Sequence, residues 1–259
     1  MKIVQTKQRI KELEERGEFN THIDETSAIV TYPVDENFAY VPKGFKKFKY
    51  LMQYVFVVMP KMLIDNIFSK RTKVKGKENL KGLKSAVVTC NHFYMFDCLT
   101  VRYALPFRKL RTTAAEFNNR RGFLGDMMRA GGMMPFSSNF KALKNMDKAI
   151  THYLNNKTFV LFYPEQAMWN DYKKPRPTKK GAYTVAVKNN VPILPMFITM
   201  KSRGKFDKDG NEKYHFIVNI GKPIYPKEEL SFQENVKYLQ DANFENNKRV
   251  YRDFYKEEI

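Results

Sequence analysis

The fold is decided by residues 85–97, which read SAVVTCNHFYMFD. The apolar run Ser85–Cys90 has the length and composition of a buried strand, and polar side chains including His92 follow it at once. A second apolar run, Thr158–Tyr163, is likewise followed by polar residues, among them Glu165. Polar groups that face a common crevice are typical of the carboxyl ends of strands in open α/β sheets. The two polar clusters are therefore expected to meet at one edge of a sheet.

Outward from these runs, apolar stretches alternate with helical patterns from about Lys70 onward. The predicted strand-like runs are residues 85–90, 110–115, 131–136, 158–163, 191–200 and 214–220, and the predicted helices are 96–105, 122–130, 142–154, 180–189 and 231–259. This alternation of strands and helices predicts an α/β sheet. The alternation does not occur before Lys70, so the amino-terminal part is predicted to be an added helical layer.

Composition and charge limit the possible partners. The 259 residues include 46 Lys and Arg against 27 Asp and Glu, a net charge of +19, and an aromatic share of 14% that argues against disorder. Such a charge suits nucleic acid, an anionic membrane, or an anionic substrate or carrier. Nucleic acid is not expected, because the basic residues are dispersed and no nucleic-acid-binding motif occurs. The two cysteines, Cys90 and Cys98, give no disulfide framework, which favours a reducing, cytosolic compartment.

The most apolar stretch is Leu51–Phe68, with lysine- and arginine-rich flanks. Because Pro60, Lys61 and Asp65 interrupt it, it is expected to fall short of the roughly 20 apolar residues that span a bilayer. Two interpretations stay open: an interfacial helix on an anionic leaflet, or a core helix with solvated charged ends. The amino terminus lacks the apolar core of a secretion signal, so export is not predicted.

Among the four histidines, His92 has the neighbours best suited to chemistry, because Asp97 follows it by five residues. Within a regular helix this spacing would place the two side chains on different faces, but they can meet at a strand-to-helix turn. There the carboxylate would orient the imidazole and leave its other nitrogen as a general base. Because no serine- or cysteine-nucleophile signature occurs, His92 would act directly on a hydroxyl or on water. No metal site is predicted, because ligand spacings are absent.

Three sequence blocks, in order, resemble those of the PlsC-like glycerolipid acyltransferases, the family related to lysophosphatidate acyltransferase. NHFYMFD at 91–97 resembles the His-x4-Asp block, FYPEQ at 162–166 the Phe-Pro-Glu-Gly block, and VPILP at 191–195 the Val-Pro-Ile-x-Pro block. The resemblance covers about residues 70–224. It implies a mixed, mainly parallel sheet wrapped by helices, with an amino-terminal helical layer facing the membrane.

The resemblance also implies a mechanism and a set of site residues. His92 would deprotonate an acceptor hydroxyl, Asp97 would orient His92, and the hydroxyl would attack an acyl thioester without a covalent enzyme intermediate. The residues expected to bind substrate are Asn91, Glu165, Gln166, Arg176 and Lys180. The donor is expected to be a thioester of coenzyme A or acyl carrier protein, and no cofactor is expected.

The chain departs from the family pattern at two places where phosphate-binding arginines are usual. The stretch GGMMPFSSN at 131–139 has phenylalanine and serine, including Ser138, in place of one arginine, and Met168 stands in place of the arginine that follows the Phe-Pro-Glu-Gly block. Either a cation such as Arg176 reads the phosphate from elsewhere, or the acceptor lacks a terminal phosphomonoester. The loop at 173–180, KKPRPTKK, carries five cations and is either an anion clamp or a solvated turn. Trp169, beside Met168, is expected to make the rim of the site more apolar.

The leading hypothesis is therefore an acyltransferase bound peripherally to the cytoplasmic face of the membrane. Its expected partners are an anionic membrane surface, a lysolipid acceptor and acyl carrier protein. A single domain is predicted, comprising a membrane-associating helical region at 1–70, an α/β catalytic core at 71–225 and a helical tail at 226–259. Two alternatives stay open: a catalytically lapsed basic membrane- or lipid-binding protein, and an acyl-thioester hydrolase.

Overall fold

The computed structural model describes residues 2–23, 31–105 and 109–259. A seven-stranded sheet has the order β1-β7-β6-β2-β5-β3-β4, and every neighbouring pair is parallel except β6 and β7. The strands are β1 Lys73–Lys75, β2 Val87–Thr89, β3 Lys109–Ala114, β4 Met133–Pro135, β5 Thr158–Phe162, β6 Ile193–Phe206 and β7 Glu212–Ile220. The prediction of a mixed, mainly parallel α/β sheet is confirmed.

Helices cover both faces of this sheet. They are Lys2–Glu15, Gly44–Ser69, Asp97–Ala104, Gly122–Ala130, Phe140–Asn155, Gly181–Lys188 and Phe232–Tyr255, with 3-10 turns at Lys77–Leu80 and Glu116–Asn118. Successive strand residues point to opposite faces, so Val88 packs in the core layer of helix Asp97–Ala104 and Val87 in that of helix Phe140–Asn155. Burial on both faces explains why the central strands read as continuous apolar runs.

Two strand features lie outside the predicted runs. Strand β1 is a short, lysine-flanked edge strand that the apolar pattern did not indicate, and charge of this kind protects an edge from further pairing. Strand β6 continues past Met200 to Phe206, where its exposed half pairs with β7 as an antiparallel hairpin. Both segments gain their strand structure from pairing with β7, because neither has a buried apolar pattern of its own.

The apolar stretch at 51–68 belongs to one continuous helix of 26 residues, Gly44–Ser69, which by length and composition could cross a membrane. The expectation that Pro60, Lys61 and Asp65 leave this stretch short of a membrane-spanning length is therefore wrong, because the helix continues through all three residues. Proline lacks the N–H of a helical hydrogen bond, and here wider π-helical turns at Tyr54–Val58 and Ile64–Ser69 flank Met59–Leu63. Only 22% of its most apolar window is buried, so it is not a core helix.

The amino-terminal helix Lys2–Glu15 packs against the polypeptide that follows β5. Its Ile10 and Leu13 form a small buried cluster with Ala167 and Trp169. Beyond this helix, the carbonyl oxygen of Thr21 accepts a hydrogen bond of 3.0 Å from the Trp169 indole. The amino-terminal segment is thus attached to the same edge of the sheet that carries the predicted site.

Candidate active site

The turn after β2 brings His92 and Asp97 together. Asp97 is the first residue of helix Asp97–Ala104, and its Oδ2 lies 2.8 Å from Nδ1 of His92. The same oxygen accepts the backbone N–H groups of Phe93 and Tyr94, at 3.2 and 3.3 Å. The chain therefore wraps around the carboxylate, and this local turn is what lets a five-residue spacing form a contact.

The other imidazole nitrogen of His92 is available for chemistry. An ionised carboxylate can only accept, so the Nδ1 atom donates to Asp97 and Nε2 is left as the basic nitrogen. Nε2 has no hydrogen-bond partner among the described residues, and His92 lines a cavity of about 690 Å³. Asp97 is 1% exposed, whereas the His92 side chain is 22% exposed. This is the arrangement of a general base supported by a buried carboxylate.

Glu165 reaches the same turn from the neighbouring strand. Thr89 of β2 pairs with Phe162 of β5, so His92 and Glu165 each lie three residues beyond a paired position. The Oε2 atom of Glu165 accepts the backbone N–H of His92 at 3.2 Å and the Nη2 of Arg176 at 2.8 Å. Arg176 Nη2 also donates to the carbonyl oxygen of His92 at 3.2 Å. The buried pair thus fixes the main chain on both sides of the imidazole.

The expected substrate-binding roles of Glu165 and Arg176 are corrected by this geometry. The Arg176 side chain is 1% exposed, and its Nη1 and Nη2 also donate to the carbonyl oxygens of Phe19 and Ala167. Each of the three guanidinium nitrogens donates to a protein oxygen, so this buried charge has a structural role, since an uncompensated buried charge would be costly. Neither side chain is free to hold an acceptor.

The structure also separates the other predicted binding residues. Asn91 accepts the N–H of Ile198 at 2.8 Å and donates to its carbonyl at 3.1 Å, so its amide anchors the turn to β6 instead of facing a substrate. Lys180 is exposed and does not line the His92 cavity. Gln166 does line this cavity, with an exposed side chain and a left-handed backbone (φ 66°).

The basic loop does not gather its five cations into an anion clamp. Lys173 lies over the rings of Tyr214 and Tyr255, 5.6 and 5.7 Å from their centroids, and Lys174 forms an ion pair of 2.7 Å with Glu14.

The expected contribution of Trp169 to the rim is also wrong. Trp169 is fully buried, and the Arg176 guanidinium lies over its ring at 4.6 Å. Met168 does line the cavity.

Several residues that line the cavity could not be identified from the sequence, because only the fold brings them together. Three cations from separate elements, Lys61, Arg102 and Arg120, lie in its wall. The Nε atom of Arg120 is buried and has no hydrogen-bond partner within the part of the chain that the structure describes. Tyr163, directly after β5, donates its hydroxyl to Oδ1 of Asp97 at 2.6 Å. The one available signal for Tyr163 was its place between a buried strand and Pro164.

The thiols beside the motif are not suited to act as nucleophiles. Burial is the main cause that raises the pKa of Cys98 to about 12, and burial also raises the pKa of Cys90 well above its usual range. No serine or cysteine side chain is hydrogen-bonded to His92 in the described ranges. Within the same ranges, no group of three His, Cys, Asp or Glu side chains is placed to hold a metal ion.

Fold and site together define a mainly parallel α/β protein with a His–Asp pair at the carboxyl edge of its sheet. Residues 71–199 match the sequence profile of the Acyltransferase family, so this part of the chain is an acyltransferase domain. The structure resembles the crystal structure of the 1-acyl-sn-glycerophosphate acyltransferase PlsC from Thermotoga maritima, with a TM-score of 0.53 and 19% identity, over 78% of this chain and 87% of that chain.

A curated relative is the chloroplastic 1-acyl-sn-glycerol-3-phosphate acyltransferase of Brassica napus, 29% identical over 172 residues. The match covers 60% of this chain and 45% of the plant protein, so the chain spans less than half the length of that relative. The resemblance that the three sequence blocks indicated is thereby confirmed at the level of the family.

Proposed function

We propose that the protein transfers a fatty acyl group from an acyl thioester to a hydroxyl of a lysophosphatidate-like acceptor. The observation that carries this proposal is the His92–Asp97 contact of 2.8 Å at the wall of a large cavity. The Nε2 atom of His92 has no hydrogen-bond partner among the described residues. The acyltransferase domain and the names of both relatives support the same reaction.

In the proposed reaction, Nε2 of His92 takes the proton of the acceptor hydroxyl as the oxygen attacks the thioester carbonyl carbon. A new C–O bond forms, the C–S bond breaks, and the leaving thiolate takes the proton from the imidazolium. Asp97 remains ionised and stabilises the imidazolium between the two proton transfers. The buried Glu165–Arg176 pair keeps the His92 backbone in place throughout.

The cavity offers both polar and apolar walls for a lysolipid. Arg120, with its unpartnered Nε, is the cation that we assign to the phosphate of the acceptor, in place of the arginines missing at Ser138 and Met168. The methionines Met127, Met128 and Met133 line the same cavity. Flexible thioether side chains adapt to irregular apolar shapes, which suits an acyl chain.

The exposed side of helix Gly44–Ser69 supports the proposal that the enzyme acts at a membrane surface. Phe45, Phe56 and Phe68 are 81%, 71% and 71% exposed, and lysines flank the apolar stretch. Apolar side chains with cations beside them bind anionic leaflets. We place the protein peripherally on the cytoplasmic face, with a coenzyme A or acyl carrier protein thioester as donor and no cofactor.

The test is acyl transfer by purified protein from labelled palmitoyl-coenzyme A and from palmitoyl-carrier protein. The acceptors are lysophosphatidate, monoacylglycerol and lysophosphatidylcholine, and the variants are His92→Ala and, as a matched control, the exposed His152→Ala. We expect His92→Ala to lower turnover by about 10²–10⁴-fold and His152→Ala to leave it unchanged. Equal turnover by wild type and His92→Ala contradicts the assignment. Release of free fatty acid at the same rate with and without an acceptor indicates a hydrolase.

A further inference from the structure

Tyr163 contacts both members of the His–Asp pair. Its hydroxyl lies 2.6 Å from Oδ1 of Asp97, and its ring stacks on the His92 imidazole with centroids 4.1 Å apart and planes inclined by 19°. The turn after β2 directs the donors of His92, Phe93 and Tyr94 at Oδ2 alone. Tyr163 therefore binds the carboxylate oxygen that the turn leaves open.

The hydroxyl is a permanent donor in this position. Burial, followed by the negative charge of Asp97, raises the pKa of Tyr163 well above its ordinary value of 10, so the phenol keeps its proton near neutral pH. Because Asp97 can only accept, the short contact is a charge-assisted hydrogen bond from Tyr163 to the carboxylate.

We infer that Tyr163 is a positioning residue of the proposed acyl transfer, its hydroxyl fixing the Asp97 carboxylate and its ring fixing the plane of the His92 imidazole. The inference rests on the proposed function. It adds a third member to the pair, at the residue directly before Pro164 and Glu165 of the FYPEQ block.

The hydroxyl should also weaken the support that Asp97 gives to a protonated His92. A hydrogen bond to Oδ1 disperses the negative charge of Asp97, so less of that charge is available to stabilise an imidazolium. Removal of the hydroxyl should therefore let Asp97 stabilise the imidazolium of His92 more strongly. Since the base must be unprotonated to act, the acid limb of the rate profile should then move to higher pH.

The other groups around His92 remain the same when this hydroxyl is removed. Asp97, Glu165 and Arg176 contact the residue directly. The titratable and charged side chains that share the cavity wall are His22, Lys61, Cys98, Arg102, Glu116 and Arg120. None of them is hydrogen-bonded to Tyr163 among the described contacts, so a shift can be ascribed to the phenol.

The decisive variant is Tyr163→Phe, which keeps the ring and removes the hydroxyl. We expect kcat to fall by about tenfold, as for loss of one hydrogen bond to a charged group, with the acceptor KM within about twofold of wild type. The acid limb of the plot of kcat/KM against pH should move to higher pH by about half a unit or more. Tyr163→Leu, which also removes the stacked ring, should lower kcat further.

The matched control is Tyr183→Phe, which removes a buried hydroxyl that instead contacts Thr178 and Asn243. Its pH profile should superimpose on that of wild type. If the Tyr163→Phe profile and kcat also superimpose on wild type, the inference is overturned.

NMR titration of the His92 imidazole in both variants tests the same point without turnover. An unchanged His92 titration in Tyr163→Phe also overturns the inference. A protein inactive with every acceptor would refute the proposed function, whereas the titration would still decide the role of Tyr163.

Discussion

Arg176 and Glu165 form an ion pair of 2.8 Å inside the protein, directly beside the main chain of His92. The pair contacts both the N–H and the carbonyl oxygen of that residue. Its guanidinium also reaches the carbonyl of Phe19. The two charges therefore connect three segments that are far apart in sequence: the amino-terminal segment, the turn after β2 and the loop after β5.

The first prediction concerns the stability that this pair provides. Arg176→Met leaves the Glu165 carboxylate buried without its partner, so the free energy of unfolding should fall by about 3–5 kcal/mol. Urea denaturation followed by the fluorescence of Trp169, the single tryptophan, measures this directly. Lys188→Met, which breaks the exposed pair with Asp147, is the control and should cost less than about 1 kcal/mol. An Arg176→Met protein with full stability but weakened lysophosphatidate binding would restore Arg176 as an acceptor ligand.

The second prediction concerns the charge of Asp97. In Asp97→Asn an amide replaces a carboxylate that accepts four hydrogen bonds, so His92 loses the anion that stabilises its protonated form. We expect kcat to fall by about a hundredfold or more, and the unfolding free energy by about 1–3 kcal/mol. Single-turnover acyl transfer and thermal unfolding separate the two effects. Asp241→Asn, in an exposed pair with Lys237, should change neither.

The third prediction concerns acceptor selectivity. Arg120→Met removes the cation that we assign to the acceptor phosphate, so KM for lysophosphatidate should rise by about tenfold or more. KM for monoacylglycerol, which has no phosphate, should stay near its wild-type value. Arg121→Met is the neighbouring control, because Arg121 is exposed and donates to Thr31. Equal losses for both acceptors would argue against a phosphate contact at Arg120.

The fourth prediction concerns pH and the thiol of Cys98. Burial disfavours the thiolate and raises the pKa to about 12, so only a minute fraction is ionised near neutrality and this fraction increases as pH rises toward that value. Iodoacetamide at pH 7.5 should therefore leave the folded enzyme active. In urea, where the thiol regains its ordinary pKa near 8.5, mass spectrometry should show rapid alkylation. Rapid inactivation of the folded protein together with labelling of Cys98 would contradict this expectation.

The fifth prediction concerns membrane binding by helix Gly44–Ser69. Replacing Phe45, Phe48 and Phe56 together by glutamate removes exposed apolar area and introduces charges that an anionic leaflet repels. Sedimentation with vesicles of phosphatidylglycerol and phosphatidylcholine should show at least about a tenfold weaker association. Phe206→Glu is the control, since Phe206 is 64% exposed at the far end of β6. Undiminished sedimentation of the triple variant would place the membrane-binding surface elsewhere.

The sequence was informative where a feature is local. Buried strands are apolar on both faces, so β2 and β5 could be found from their runs alone, and the blocks after them pointed to His92 and Asp97. The roles of Arg176 and Asn91 were mistaken because the sequence does not show burial. A guanidinium in a basic loop reads as an exposed cation, whereas here the fold buries it among the oxygens of Glu165 and Phe19.

Residues such as Arg120 and Tyr163 could not be assigned from sequence for a related reason. Arg120 belongs to the cavity because β3 and the segment after it lie beside β5, which is a consequence of strand order. The membrane-spanning length of the long helix was also missed, because the accommodation of Pro60 by the flanking π-helical turns depends on geometry that residue type does not encode.

The position of helix Gly44–Ser69 early in the chain has a consequence for biosynthesis. Its apolar side is complete once Ser69 has left the ribosome, whereas β2 must wait for its partners β5 and β6, which end at Phe162 and Phe206. At a synthesis rate of about 5–20 residues per second, the nascent chain exposes this apolar helix for several seconds or longer before β5 and β6 are available to pair with β2. The growing chain can therefore contact a lipid surface or a chaperone through this helix before the sheet that carries His92 is assembled.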